Sequence, residues 1–365
     1  MKKKVELGSV DMMSFIVQAS LGTRLLAFPR YIVEEAGNDA WISVLLGGFL
    51  VLVLALVLYW LAGQYPGLNG SEIVLRVYGK WFGSAGLIVI SIHTLATMGL
   101  SLRTFGDSIH LYLLSETPLG VTAGILLLLS VYALRKGIKT IAALINILVP
   151  ISILIKITLI LLPMNRMDVK ALLPILHGGI KPVTMGALEM LDVIYSFTII
   201  AYILPYFKEA KGTPKWIAAG IGIATSLYLG IVSMCIMVFG AEETTYLLYP
   251  TMTLAKSLQF KAQLFERAES LFMAGWIIHT FLVIVLTYFV GLLNLKALFQ
   301  TSKNNLLIYV QMPLIMALVY LPQDVVQLDV FKKYVYFLGR IIVLVFMPVA
   351  AAIAFYRNRR GDHGA

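Results

Sequence analysis

Charge is scarce in this sequence: only 13% of its 365 residues are Asp, Glu, Lys or Arg. A soluble domain carries roughly 25%. So few charges cannot cover a water-facing surface without leaving broad apolar patches exposed. A soluble fold is therefore excluded. Cysteine is scarcer still. The single residue, Cys235, rules out an intrachain disulfide and leaves the redox compartment unreadable. It lies in an apolar run and is expected to be a packing residue. There are five histidines, none at metal-ligand spacing. Phosphate loops, paired catalytic carboxylates beside a nucleophile, and cysteine–histidine clusters are all missing. The expectation is a protein that is not an enzyme and needs no cofactor or metal. Low-complexity segments are absent, so one domain spanning 1–365 is expected.

What the sequence has instead is apolar residues, 59% of the chain. They fall into runs at about 10–32, 41–62, 82–112, 119–134, 139–162, 183–206, 215–240, 267–295, 304–321 and 331–355. A helix needs about 20 apolar residues to cross a bilayer. Helices are the form for such runs, because an open strand leaves backbone groups unsatisfied in lipid. The pattern predicts an all-α membrane protein of about ten transmembrane helices. These are numbered below as spans 1 to 10. The start, Met1 to Lys4, is basic, but the first run carries Gln18, Arg24 and Pro29. It has no small-residue cleavage site and reads as the first span, not as a signal peptide.

The formal charge of +10 can suggest nucleic acid. Here the bases are spread over short loops, so no nucleic-acid partner is expected; lipid is. One set of loops holds Lys2 to Lys4, Arg76, Lys80, Arg135, Lys136, Lys139, Lys208, Lys211, Lys215, Lys296, Lys303, Arg357, Arg359 and Arg360. The alternate set is poorer in bases and carries Glu34, Glu35, Asp39, Glu242, Glu243, Asp324 and Asp329. The positive-inside rule puts the first set, and both termini, in the cytoplasm.

Span 1 ends Phe28-Pro29-Arg30-Tyr31, followed by Glu35-Ala36-Gly37 and Trp41. Span 6 ends Leu204-Pro205-Tyr206-Phe207, followed by Glu209-Ala210-Lys211-Gly212 and Trp216. Five spans separate the copies, and an odd offset inverts one relative to the other. This is the pattern of an inverted 5+5 repeat, about 10–162 and about 183–355. Carriers of that type hold ligand at the midplane, between broken helices whose freed backbone groups bind it. Span 1 offers Gly22, Thr23 and Arg24 near its middle, with Gly22 permitting unusual backbone angles. In span 6 the midpoint falls at Tyr195 and Ser196, with no glycine beside them.

Polar groups inside a membrane are costly and mark function by default. Arg24 suits a ligand carboxylate, or else an internal acid on span 3 or span 8. His93 and Thr97 lie one turn apart on span 3; Val283 and Thr287 lie one turn apart on span 8. These four join Gly22, Thr23, Arg24, Tyr195 and Ser196 as candidate ligand-binding residues. His279 and Thr280 share the span 8 neighbourhood. Arg103 and Asp107 sit at i and i+4 and read as a local ion pair. Glu189 and Asp192 read either as a cation or proton site or as vestibule residues. Lys156 is either a titratable group inside the bundle or a side chain snorkelling outward.

Leu21-Gly22-Thr23-Arg24-Leu25-Leu26 with Pro29-Arg30 resembles the first span of the spore germination permease-like family. Gly79-Lys80-Trp81-Phe82-Gly83, Leu113 to Pro118, Leu204-Pro205, Tyr249-Pro250-Thr251, Phe265 to Ser270 and Trp276 extend the resemblance along nearly the whole chain. Members are B subunits of nutrient germinant receptors, a branch of the amino acid–polyamine–organocation superfamily. The resemblance implies a LeuT-like transporter fold in the spore inner membrane. It implies A and C subunits as partners and a small nutrient, an amino acid, as ligand. A proton- or cation-coupled amino acid symporter is the alternative. The superfamily often carries Gly-x-Gly at the span 1 break. Here Arg24 takes the second position, where its bulk and charge would fill part of the pocket or pair with an acidic group of the ligand.

Overall fold

The computed structural model describes residues 7–207, 213–257 and 268–359, with the side chains of 9, 193–196, 268 and 269 outside that description. Seven helical stretches are long and apolar enough to cross a bilayer, and they correspond to spans 2, 3, 4, 5, 7, 8 and 10. Three more passes escape that measure for physical reasons. Spans 1 and 6 are interrupted, and span 9, Asn304–Tyr320, has only 17 residues. Among the described residues the passes therefore number ten, seven plus three, as the apolar runs predict.

Span 1 is two helices, Ser9–Ser20 (1a) and Phe28–Ala36 (1b), and span 2 is Ala40–Gly63. Span 3 runs Gly70–Tyr112, span 4 Leu119–Lys136 and span 5 Ile138–Leu161. Span 6 is again divided, Ile180–Ile194 (6a) and Ile199–Ile203 (6b). Span 7 is Thr213–Phe239 and span 8 Ala268–Phe299. Span 10 joins Val325–Ile341 to Met347–Arg359 through a π turn at Ile342–Phe346.

Contacts between loops fit strict alternation. Asn38 donates to the Leu173 carbonyl (2.7 Å) and Arg166 to the Ser257 carbonyl (2.5 Å), all on the face away from the N-terminus. On the N-terminal face Asn358 donates to Gln64 (2.5 Å) and Arg357 to the Arg76 carbonyl (3.2 Å). These two faces are called distal and proximal below.

Span 3 starts earlier than its apolar run suggests, at 70 instead of 82. Asn69 caps it, accepting from Ser71 N (3.0 Å), while Glu72 accepts from Asn69 N (2.8 Å). The first two turns carry Ser71, Glu72 and Arg76 among their apolar residues, and the helix bends at Gly79, whose φ of 78° favours glycine. The loops expected at 163–182 and 241–266 contain short helical pieces, Leu162–Arg166, Val169–Leu172, Ala241–Tyr246 and Pro250–Lys256. The π turn in span 10 has a local cause. Pro348 lacks the N–H that Leu344 would otherwise receive, and Tyr78 OH donates to the Phe346 carbonyl.

Span 2 seats 6a closely. A Cβ at Gly47 would stand 2.5 Å from Met190 Cβ, so only glycine allows this approach. That contact sets the height and rotation of 6a, and with it the positions of Glu189 and Asp192.

Candidate functional site

The two interruptions lie at the centre of the bundle. Helix 1a stops at Ser20; Gly22 is extended, and Thr23–Leu26 form one 3-10 turn. Gly22 has φ −64° and ψ 178°. Those are angles any residue adopts, so the expectation that glycine is needed there for unusual backbone geometry is corrected. The carbonyls released by the break are captured from outside the helix. Tyr228 OH donates to the Ser20 carbonyl (3.2 Å) and Thr251 Oγ1 to the Leu25 carbonyl (2.7 Å). Such capture is what makes a break affordable inside a bilayer. Span 6 breaks in the same place without glycine, through a 3-10 turn at Tyr195–Thr198. The side chains of Tyr195 and Ser196 lie outside the described residues.

Between the breaks is a central cavity of about 50 Å³. Gly22, Thr23 and Arg24 line one side of it, His93, Thr97 and Ser101 of span 3 another. Asp192 of 6a and Val283 and Thr287 of span 8 complete the wall with Tyr336, Gly339 and Arg340 of span 10. The structure thus brings seven of the nine sequence candidates, Gly22, Thr23, Arg24, His93, Thr97, Val283 and Thr287, to one cavity. Thr23 and Ser101 share a hydroxyl hydrogen bond (3.3 Å), which ties the break to span 3. His93 is buried and lies against Gly339, where a Cβ would stand 2.9 Å from its Nε2. Thr287 Oγ1 donates to its own helix at the Val283 carbonyl (2.8 Å), whereas the buried Thr97 hydroxyl has no hydrogen-bond partner among the described residues.

Arg24 is not a lone charge. Its Nη2 lies 3.2 Å from Glu189 and its Nη1 3.2 Å from Asp192. The acid was expected on span 3 or span 8; it comes from span 6. The same two carboxylates receive Arg340, at 2.5 Å from Glu189 and 2.6 Å from Asp192. Two guanidiniums and two carboxylates make a closed, neutral group. Tyr336 covers Arg24 at 3.8 Å from ring centre to guanidinium carbon, and Tyr31 lies 5.2 Å away. Each isolated charge at mid-membrane costs at least ~2.5–3.5 kcal/mol on insertion scales. Mutual neutralisation across spans 1, 6 and 10 offsets that cost and holds the two breaks in register.

The Arg24–Tyr336 layer closes the cavity on its distal side. Beyond it is a void of only about 10 Å³, then Tyr31 OH donating to Asp329 (3.2 Å), with Lys332 3.3 Å from the same carboxylate. Arg103 pairs with Asp107 at 2.9 Å, as its spacing predicts, and also donates to the Val319 carbonyl (3.2 Å). On the proximal side the cavity continues into a larger chamber of about 120 Å³; Thr97, Val283, Thr287 and Val343 line both. Below the chamber, Tyr202 of 6b and Ser71 of span 3 both donate to Asn294 of span 8, at 2.9 and 2.7 Å. Leu7 N donates to the Tyr206 carbonyl (3.0 Å), pinning the chain before span 1 to the end of span 6.

The family model described as spore germination protein matches residues 6–327. The chain belongs to the spore germination protein family. Relatives in this family include spore germination protein YndE of Bacillus subtilis, 29% identical over 78% of this chain and 79% of that protein. Spore germination protein A2 of the same organism is 24% identical over 94% of this chain and 93% of its own length. Among solved structures, Mhp1, a nucleobase-cation-symport-1 family transporter in a closed conformation, superposes with a TM-score of 0.69 at 11% identity, covering 96% of this chain and 78% of that one. A manganese transporter of Eremococcus coleocola gives 0.68 at 13% identity over 94% and 78%. At such identities the likeness speaks of fold alone. This germination family member has the LeuT-like transporter fold, with its inverted 5+5 repeat.

Arg340, Tyr336 and Ser101 were missed by sequence reasoning. Arg340 carried a usable signal. It is the only Lys or Arg between Lys333 and Arg357, inside the last apolar run, and the rule that singled out Arg24 applies to it equally. Lys156 does not snorkel. It is 1% exposed, and its ammonium bonds Ser152 Oγ one turn back. His279, also buried, is within electrostatic reach of it. Gln18 Nε2 of helix 1a donates to the His279 carbonyl (3.0 Å). Cys235 is fully buried, as expected of a packing residue.

Proposed function

We propose that this chain is the nutrient-sensing membrane subunit of a germinant receptor and binds an amino acid between its two broken helices. The observation that carries the reading is the central cavity, walled by Gly22, Thr23 and Arg24 of one break and by Asp192 just before the other. A ligand there touches both halves of the fold at once. Binding then favours whichever arrangement of the halves fits it better, and that shift is the signal. Thr97 supplies a hydroxyl that has no partner among the described residues, and the ends of the interrupted helices supply backbone dipoles. His93, Val283 and Thr287 shape the remaining wall, and Tyr195 and Ser196 belong to the same break. In this reading the whole chain, 1–365, is one transmembrane domain with repeats at about 10–162 and 183–355. It sits in the spore inner membrane beside A and C subunits. Both termini are cytoplasmic, which the basic proximal loops support.

The test is thermal stabilisation of the purified protein across the amino acids. A specific ligand at a hundredfold over its Kd stabilises by about 2.7 kcal/mol. No shift with any amino acid removes the reading. Genes for a large membrane subunit and a lipoprotein subunit beside this one support a receptor.

A second reading, a proton- or cation-coupled amino acid symporter, has its own observation. Lys156, Ser152, His279 and Gln18 form a buried polar group on spans 5, 8 and 1, away from the ligand cavity. A sensor needs no second ionisable site, whereas a coupled carrier does. Uptake by proteoliposomes that follows an imposed pH gradient and is lost in Lys156→Met selects the symporter.

A further inference from the structure

We infer that the ligand is a net-neutral zwitterion with a sizeable apolar side chain, held head-first at the Arg24–Asp192 group with its side chain in the proximal chamber. This rests on the reading that the cavity binds an amino acid.

The charged end sets the first condition. Arg24 and Arg340 are already matched by Glu189 and Asp192. A ligand with net charge would leave one unit of charge uncompensated in a buried site, which is strongly unfavourable. A zwitterion leaves the sum at zero. Its carboxylate faces the guanidinium of Arg24, and its ammonium faces the carboxylate of Asp192, which lines the same cavity.

The chamber sets the second. Its wall is built mainly of aliphatic side chains, Ile90, Ile199, Leu286 and Ile342 among them, with the Phe346 ring. Two of its threonines are internally satisfied. Thr94 donates to the Ile90 carbonyl (2.7 Å), and Thr287 to the Val283 carbonyl (2.8 Å). Apart from the Thr97 hydroxyl, which the chamber shares with the charged cavity, polar or charged ligand side chains would find little to bond there. The chamber's 120 Å³ is more than twice the volume of the charged cavity, and the two meet at Thr97, Val283, Thr287 and Val343. A head at the break therefore sends its side chain past Val283 and Val343 into apolar space.

Each buried methylene is worth roughly fourfold in affinity. Leucine has three more carbons than alanine, so it should bind at least tenfold tighter. The experiment measures apparent Kd from thermal shifts of the purified full chain with glycine, alanine, valine, leucine, phenylalanine, glutamate and lysine. The expected order rises with apolar size, with glutamate and lysine weakest. Ile90→Trp fills the chamber and should cut the leucine-to-alanine ratio to near one. Ile342→Ala enlarges it and should raise the phenylalanine-to-leucine ratio severalfold. Two variants acting in opposite directions guard against simple misfolding, and ligand-free melting of each checks it directly. Binding of alanine or glutamate as tightly as leucine, or ratios unmoved by both variants, overturns the inference and leaves the amino-acid reading standing. No shift with any of the seven overturns the inference as well, and no shift with any amino acid removes both.

Discussion

Arg24 and Asp192 meet across the bundle, Nη1 to Oδ2 at 3.2 Å, and join the break in span 1 to the helix that precedes the break in span 6. Breaks in two helices that share no sequence contact are thereby positioned by one buried ion pair and its neighbours. The group is held by geometry and neutrality together, so its members are not independent.

Arg24→Gln should destabilise the protein substantially, because it strands Glu189 and Asp192 with Arg340 alone. Removing one partner from a buried pair costs about 3–5 kcal/mol. Membrane protein level and melting temperature should both fall. The double variant Arg24→Gln, Glu189→Gln restores neutrality and should recover a large part of the loss. A double variant no more stable than the single would show that charge balance is not what the group provides.

Gly22→Leu tests the cavity and not the backbone. The φ and ψ at Gly22 suit any residue, so folding should be little affected. A leucine side chain at the cavity wall would occupy much of its 50 Å³. Normal abundance with no ligand-induced thermal shift is expected. An undiminished shift would take the span 1 break out of the binding site.

Much of this site was legible in sequence, and the limits of legibility have physical causes. Gly22, Thr23 and Arg24 stand out because polar residues in an apolar run are costly. His93 with Thr97, and Val283 with Thr287, follow from helical spacing, which fixes what shares a face. Spacing cannot say which helices meet, so the acids facing Arg24 were sought on spans 3 and 8 when they lie on span 6. The break at Tyr195–Thr198 has no glycine to announce it. The fold was legible more fully than the site, since bilayer thickness sets the approximate length of an apolar run whichever helices it packs against.

Orientation can be read by thiol labelling of intact cells. Cys235 is buried and should stay silent. Cysteines placed at Asp168 or Glu243, in distal loops, should react with an impermeant reagent. One placed at Lys136, at the proximal end of span 4, should react only after permeabilisation. Labelling of Lys136→Cys alone in intact cells would invert the assignment of the termini.

The distal seal gives the last prediction. Tyr31 of helix 1b and Lys332 of span 10 converge on Asp329, at 3.2 and 3.3 Å. Behind them only a void of about 10 Å³ separates this layer from Arg24. Opening the cavity to the distal face requires 1b and span 10 to part, which breaks the Tyr31–Asp329 hydrogen bond. A hydrogen bond to a charged group contributes about 1.5–3 kcal/mol, so its loss should raise the open population tenfold or more. Tyr31→Phe removes that bond and keeps the ring beside Arg24. In a Thr23→Cys background, distal addition of a thiol reagent should label Tyr31→Phe about tenfold faster than the parent. Saturating ligand should slow both if it favours the closed arrangement. Equal labelling rates in the two would mean that the Arg24–Tyr336 layer, and not the Tyr31–Asp329 bond, controls access.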